Sequence, residues 1–199
     1  MKIIELKELV QTKYLSMYDI VYQNKTQQNK SWMLATRKKR DKLENIFFNH
    51  SVDDADAVVI VALHKDSRSI VAIKQFRLPV NDYIYELPAG LIDNGESIST
   101  TSVRELKEET GLTVEKFIPE LCNDKLYLTP GMSDESVALV FCTCSGELST
   151  DYLEPDEDIT PYLIGKSLAK QILRDGTKLD IKAFIILSNF VAGFYDSYL

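Results

Sequence analysis

The chain has 199 residues, 45% of them hydrophobic and 27% charged, which is material for one medium-sized domain with or without a small accessory unit. Its formal net charge of −7 argues against a broad electrostatic affinity for nucleic acid or anionic lipid. An acidic protein that handles anionic substrates needs local positive charge or metal ions.

The start, Met1-Lys2-Ile3-Ile4-Glu5, has no apolar signal core, and no run of about 18 apolar residues appears. The expectation is a cytoplasmic protein with neither membrane nor nucleic acid as partner. Residues 1–52 read as an N-terminal β unit: Tyr14–Tyr22 and Ser31–Thr36 carry aromatic and branched residues, joined by the polar stretch Gln23–Lys30. The basic run Arg37-Lys38-Lys39-Arg40 reads as a solvated turn or strand edge. From Asp56 the rhythm changes. Ala57–His64 and Ser69–Gln75 are Val/Ile-rich runs around the turn-like Lys65–Arg68, which predicts a hairpin in a mixed sheet.

Tyr83–Leu87 is a further predicted strand, ended by Pro88. A helix over Ser97–Thr110 follows, with Ser97 as N-cap and Gly111 as its stop. Strands near Thr113–Phe117 and Val137–Thr143 come next, then a short helix over Ser167–Asp175. A final helix over Ile181–Ser197 is capped by Asp180 and apolar enough to pack on the sheet. Interleaved strands and helices predict an α/β sandwich over residues 53–199.

The three cysteines, Cys122, Cys142 and Cys144, are an odd set without framework spacing, the pattern of reduced thiols. Cys142 and Cys144 lack the two further ligands that a zinc site wants and read as core. His50 and His64 are isolated and read as ordinary side chains.

The chemistry is concentrated between Glu86 and Leu112, E-L-P-A-G-L-I-D-N-G-E-S-I-S-T-T-S-V-R-E-L-K-E-E-T-G-L. On the predicted helix Glu105 and Glu109 are one turn apart and Glu108 lies beside them. They occupy the last turn, where the macrodipole disfavours anions by about 0.3–1 kcal/mol each. Two carboxylates about 5 Å apart at an effective dielectric near 20 repel by roughly 3 kcal/mol. A bare E-x-x-E-E also reads as a solvated acidic face moderated by Lys107. The other reading is a site for a hard divalent cation with oxygen ligands, typically Mg²⁺.

The surrounding spacing favours the second. The segment resembles the Nudix box, G-x5-E-x7-R-E-U-x-E-E-x-G-U with U aliphatic, through Gly90, Glu96, Arg104, Glu105, Leu106, Glu108, Glu109, Gly111 and Leu112, without departure. A chance match in a chain this long is on the order of 10⁻⁸. The resemblance implies a Nudix fold, an α/β/α sandwich around a mixed sheet, and pyrophosphate hydrolysis with Mg²⁺, for which Mn²⁺ can substitute. It implies Glu105 and Glu109 as metal ligands, Glu108 assisting, and the carbonyl of Ala89 as a further ligand. Arg104 would orient Glu108, and Glu96 would support the loop–helix geometry.

The flanks, Gln75–Pro79, Tyr85–Gly90 and Thr129–Glu135, resemble the ADP-ribose pyrophosphatase branch. That branch implies a homodimer with the N-terminal unit as the dimerisation element, and products AMP and ribose 5-phosphate. It implies substrate contacts at Trp32, Arg77, Glu86, Gly131, Met132 and Glu135. Trp32 would stack on adenine or else pack in a dimer or core. Arg77 would pair with the diphosphate or else be a structural strand-end arginine. The acidic stretch Glu154–Ile159 resembles the loop that supplies a general base or another metal ligand, with Glu157 first and Glu154 and Glu135 behind it; read by itself it is also an ordinary solvated acidic loop. Pro155 stands where some relatives of that branch carry glutamate. The alternatives are another nucleoside diphosphate sugar or NADH as substrate, or a non-catalytic Nudix-fold ligand sensor.

Overall fold

The computed structural model describes residues 1–199, which fall into two compact units. The first comprises Met1–Asp56 with Lys125–Val137; the second comprises Ala57–Asp124 with Ala138–Leu199.

The first unit is built on an antiparallel sheet in the order β1 (Lys2–Gln11), β2 (Ser16–Gln23), β3 (Asn29–Thr36). The predicted strands and their polar connection are present. In the β2–β3 turn, Asn24 Oδ1 accepts from the Thr26 and Gln28 amides, an Asx-type closure that suits a tight reversal. β1 has no counterpart in the sequence reading, because Lys2–Gln11 alternates poorly: only Leu6 is buried, and register shifts break the pairing at two places. The helix α1 (Arg40–Asn49) is a second correction, since the basic run that reads as a turn is the helix entry. Leu43 of α1 closes the unit's core with Leu6, Tyr18 and Leu34.

Lys38 overturns the solvated reading of that run. It is 4% exposed, and its ammonium lies 3.0 Å from Asp56, 3.1 Å from Asp134 and 3.6 Å from Asp53. Burial opposes its charge, but the bonds and charges of Asp56 and Asp134 outweigh that, and its pKa is raised. One buried cation thus ties the end of β3 to residues 53–56 and to the 129–135 loop.

The second unit contains β4 (Ala57–His64), β5 (Ser69–Arg77), β6 (Asp82–Glu86), β7 (Ala89–Leu91), α2 (Ile98–Thr110), β8 (Thr113–Phe117), β11 (Ile159–Ile164), α3 (Lys166–Arg174) and α4 (Ile181–Ala192). β9 (Asn123–Tyr127) and β10 (Ser136–Ser145) run through the segments that alternate between the two units. The sheet has eight strands in the order β11-β5-β4-β10-β8, with β6 added to β5, β7 to β4 and β9 to β10. Every residue of β4 is buried, as a central strand covered on both faces must be. β7, β9 and β11 are absent from the sequence reading: β7 has three residues, and β11 carries Pro161. Pro161 lacks an amide donor, which weakens a strand pattern read from sequence alone.

α2 lies against β4, β7, β8 and β11, while α4 packs with α3, β5 and β6. α4 begins where Asp180 accepts from the Ala183 amide, as expected. It ends five residues earlier than the predicted Ser197, because Gly193 takes a left-handed conformation, φ 91°, and closes the helix. Cys142 and Cys144 are buried and no disulfide is formed. His64 bridges Ser67 Oγ and the Gly146 carbonyl, an ordinary structural role.

Candidate active site

Helix α2 positions the acidic cluster. Ser97 caps it by accepting from the Thr100 amide at 3.1 Å, and Gly111 ends it at φ 76°. Its buried residues are Thr101, Ser102, Glu105, Leu106, Glu109 and Thr110, pairs repeating every four positions along one face. Small side chains at the first pair let the helix lie close to the sheet, and the next two turns bring carboxylates inward. Lys107 reaches back to the Gly111 carbonyl at 2.7 Å, so a cation meets the helix tail on the outer side.

The inward carboxylates are held tightly. Glu109 is 3% exposed and accepts from the Ala89 amide of β7 at 2.9 Å. Burial pushes its pKa well above the ordinary 4.5; the Ala89 bond opposes that, and the charges of Glu105 and Glu157 add to it. Glu105 is 9% exposed and raised by the same cause, burial, against the pull of Arg104 and with the push of Glu108 and Glu157. Gly90 makes the space: a Cβ there would stand 1.9 Å from Glu105 Oε1. Only glycine lets β7 pass this close to the carboxylate.

Arg104 is the hub of the loop–helix junction. It donates to Glu96 through Nε (3.1 Å) and Nη2 (2.9 Å), to Glu105 and Glu108 through Nη1 (2.7 and 3.0 Å), and to the Leu91 carbonyl (3.2 Å). Glu96 also accepts from Thr101 Oγ1 at 2.8 Å. Hydrogen bonds from Arg104 and then Thr101 lower its pKa to about 2. Glu96 thus ties the loop to the helix through Arg104 and Thr101. Arg104 holds three carboxylates rather than Glu108 alone.

Elsewhere in this unit, Arg77 Nη2 and Nε approach one oxygen of the buried Glu86 at 2.6 and 2.8 Å. The guanidinium is still 42% exposed, and its charge lowers the pKa of Glu109. Glu157 lies in a turn in which its amide donates to the Glu154 carbonyl and its carboxylate accepts from the Glu154 amide, each at 3.0 Å. Its charge adds to the upward push on both Glu105 and Glu109.

Within the first unit, Trp32, Gly131, Met132 and Glu135 come together. Trp32 Nε1 donates to the Gly131 carbonyl at 3.2 Å, Met132 O accepts from the Ala35 amide, and Arg37 bonds Glu135 at 3.0 Å. Trp32 is 53% exposed, so it is not core packing within the chain. It borders a small cleft with Ile20, Phe47, Tyr127, Pro130 and Met132.

The Lys38 cluster is a site with little local signature; its one signal in the sequence is the acid-rich Asp53-Asp54-Ala55-Asp56 ahead of a buried strand. Tyr83, whose hydroxyl donates to Asp158, likewise has little local signature.

A NUDIX domain model matches residues 53–162, more than half of the chain. The chain belongs to the Nudix family. It is 35% identical over 147 residues to putative nudix hydrolase 2 of Caenorhabditis elegans (69% of this chain, 63% of that one). It is 33% identical over 146 residues to the ADP-ribose pyrophosphatase of Saccharomyces cerevisiae (70% and 58%). The chain thus spans less than two thirds of the length of these curated relatives. The crystal structure of an ADP compounds hydrolase superposes with a TM-score of 0.71 at 17% identity, covering 99% of this chain and 95% of that one. The architecture is the Nudix fold, a mixed α/β sheet structure with a small antiparallel N-terminal sheet.

Nudix proteins typically use a divalent metal. Here no three His, Cys, Asp or Glu side chains stand as a preformed metal cluster. Glu105 and Glu108 are turned onto Arg104, and Glu109 onto the Ala89 amide. The donors nevertheless fit a hard cation. They are carboxylate oxygens from three glutamates, of which Glu105 and Glu109 are buried and raised by burial, Glu109 also by the charge of Glu105, and Gly90 leaves room for the Glu105 carboxylate against β7.

Proposed function

We propose that this Nudix protein hydrolyses the pyrophosphate bond of ADP-ribose, giving AMP and ribose 5-phosphate, with Mg²⁺ as cofactor and Mn²⁺ as substitute. The observation that carries this reading is the pair of buried carboxylates, Glu105 and Glu109, on the last turns of α2. Burial raises the pKa of both, and their mutual charge raises Glu109 further. A helix end is an unfavourable place for two interior anions unless a cation is there to use them. Glu105 and Glu109 are the proposed metal ligands, with Glu108 and the Ala89 carbonyl beside them. When bound, the cation neutralises phosphate oxygens and lowers the pKa of a water.

The chain's own residues supply the rest. Arg77, half exposed, offers its guanidinium edge to the diphosphate while Glu86 fixes its orientation. Arg104 holds Glu105 and Glu108 in place and locks the loop through Glu96. Glu157 takes the proton of the attacking water as the P–O bond of the pyrophosphate breaks. Its charge acts on both Glu105 and Glu109, which supports that role over Glu154 and Glu135. Trp32 stacks on the adenine, supported by its exposed ring and by the bond that fixes its indole; Gly131, Met132 and Glu135 line the same face. Stacking of this kind contributes about 1–3 kcal/mol.

The names of the Saccharomyces cerevisiae relative and of a Bacillus subtilis relative (38% identical over 102 residues), both ADP-ribose pyrophosphatases, support this substrate. A Mus musculus relative, 29% identical, is an ADP-sugar pyrophosphatase, which makes another ADP-sugar the second reading. A homodimer that uses the N-terminal unit belongs to the same proposal; Ile4, Leu9 and Val10 of β1 and Met17 of β2 are exposed apolar residues on that unit.

The test is to incubate the protein with Mg²⁺ and a panel of ADP-ribose, other ADP-sugars, a GDP-sugar and NADH, following AMP release, or GMP release from the GDP-sugar. ADP-ribose turned over at least tenfold faster than the others supports the reading. Equal or no turnover of ADP-ribose would overturn it.

A further inference from the structure

The loop that carries Glu157 is fastened at one further point. Asp158 is gripped twice: its side chain accepts the Tyr83 hydroxyl, and its carbonyl accepts the Phe76 amide at 3.2 Å. Tyr83 and Phe76 are register partners on β6 and β5, and their rings meet edge to face at 5.2 Å. Lys74 lies 5.6 Å over the Tyr83 ring. The phenol is therefore braced by strand residues before it reaches the loop. One residue upstream of Asp158, the Glu154–Glu157 turn closes on itself, its two bonds running between Glu154 and Glu157.

We infer that Tyr83 is a positioning residue for catalysis: by holding Asp158 it fixes the acidic loop so that Glu157 stays beside Glu105 and Glu109. This inference rests on the role proposed above for Glu157. A hydroxyl–carboxylate bond at a surface is modest in energy, but it falls at the base of the turn that bears the proton acceptor. Lost placement there costs rate more than binding.

The test uses the full chain with Mg²⁺ and ADP-ribose. Tyr83→Phe, which removes one oxygen and keeps the ring, lowers kcat roughly three- to tenfold and changes KM less than twofold. Asp158→Ala does the same, and the double variant is no worse than either alone, since both remove one contact. Asp158→Asn keeps an acceptor for the phenol and restores most of the rate. Amide hydrogen exchange at Glu154 and Glu157 accelerates in Tyr83→Phe, while the thermal midpoint is unchanged. An active wild type whose Tyr83→Phe protein keeps both kcat and loop protection, or a double variant whose losses multiply, overturns the inference. A wild type inert on every nucleoside diphosphate substrate overturns the functional reading beneath it, and that result is in hand before any variant is made.

Discussion

Glu109 sits in the interior with a raised pKa, and the sign of its effect on stability follows. In the unfolded chain it ionises near 4.5; folded, it ionises well above that. The folded state therefore favours the protonated form. Its contribution is fully present below about pH 4.5 and is lost as pH rises through the folded value. Glu109→Gln mimics the protonated form. In chelator at pH 8 its thermal midpoint is expected to rise by a few degrees over wild type. Its kcat/KM is expected to fall at least about 100-fold, some 2.7 kcal/mol of lost transition-state stabilisation. Differential scanning calorimetry and AMP release check the two halves.

Gly90 is the complementary test at the same scale. A methyl group there meets Glu105 at 1.9 Å, so the carboxylate must turn away. Gly90→Ala is expected to lose about 100-fold in kcat/KM, because an ångström of misplacement is expensive at a reacting centre. Its melting point should move far less, as measured by circular dichroism.

At the level of elements, α2 and the turns at its two ends form a rigid frame. Glu96 and Arg104 close the entry, and Gly111 makes the exit. Gly111 has two reasons to be glycine, φ 76° and a Ser149 amide 2.7 Å from where a Cβ would stand. Gly111→Ala is expected to destabilise the protein by about 2–3 kcal/mol, read from urea denaturation with an unchanged slope. Glu96 titrates with the opposite sign to Glu109. Its value is depressed to about 2, so what it contributes is present above 4.5 and lost as pH falls towards 2.

These ends were readable in the sequence because caps and glycines are local signals: Ser97, Gly111 and Asp180 all act where the spacing put them. The spacing of Glu105, Glu108 and Glu109 likewise placed the acidic cluster. What local patterns could not show was how far each carboxylate is buried, since that depends on β7, a strand of only three residues.

Across the molecule, legibility declines as contacts become more distant in the chain. β4 and β5 were plain from their apolar runs. β1, α1 and the shortened α4 were not, because each is set by what it packs against or by a single residue's φ. Lys38 is the clearest case. Nothing near it in sequence distinguishes it from Lys39, yet it is buried among carboxylates 15 to 96 positions away. Removing it strands those charges in the interior. Lys38→Met is expected to destabilise the fold by about 3–5 kcal/mol, measured by chemical denaturation, because a buried pair that loses one partner leaves the other uncompensated.

Catalysis as proposed for this Nudix protein requires the α2 carboxylates to grip a divalent cation. Titrating Mn²⁺ into wild-type and Glu109→Gln protein, with free ion followed by electron paramagnetic resonance, answers that without any substrate. Saturable binding by the wild type that weakens at least tenfold in Glu109→Gln is the predicted result. Equal binding by the two proteins, or none by the wild type, would contradict it.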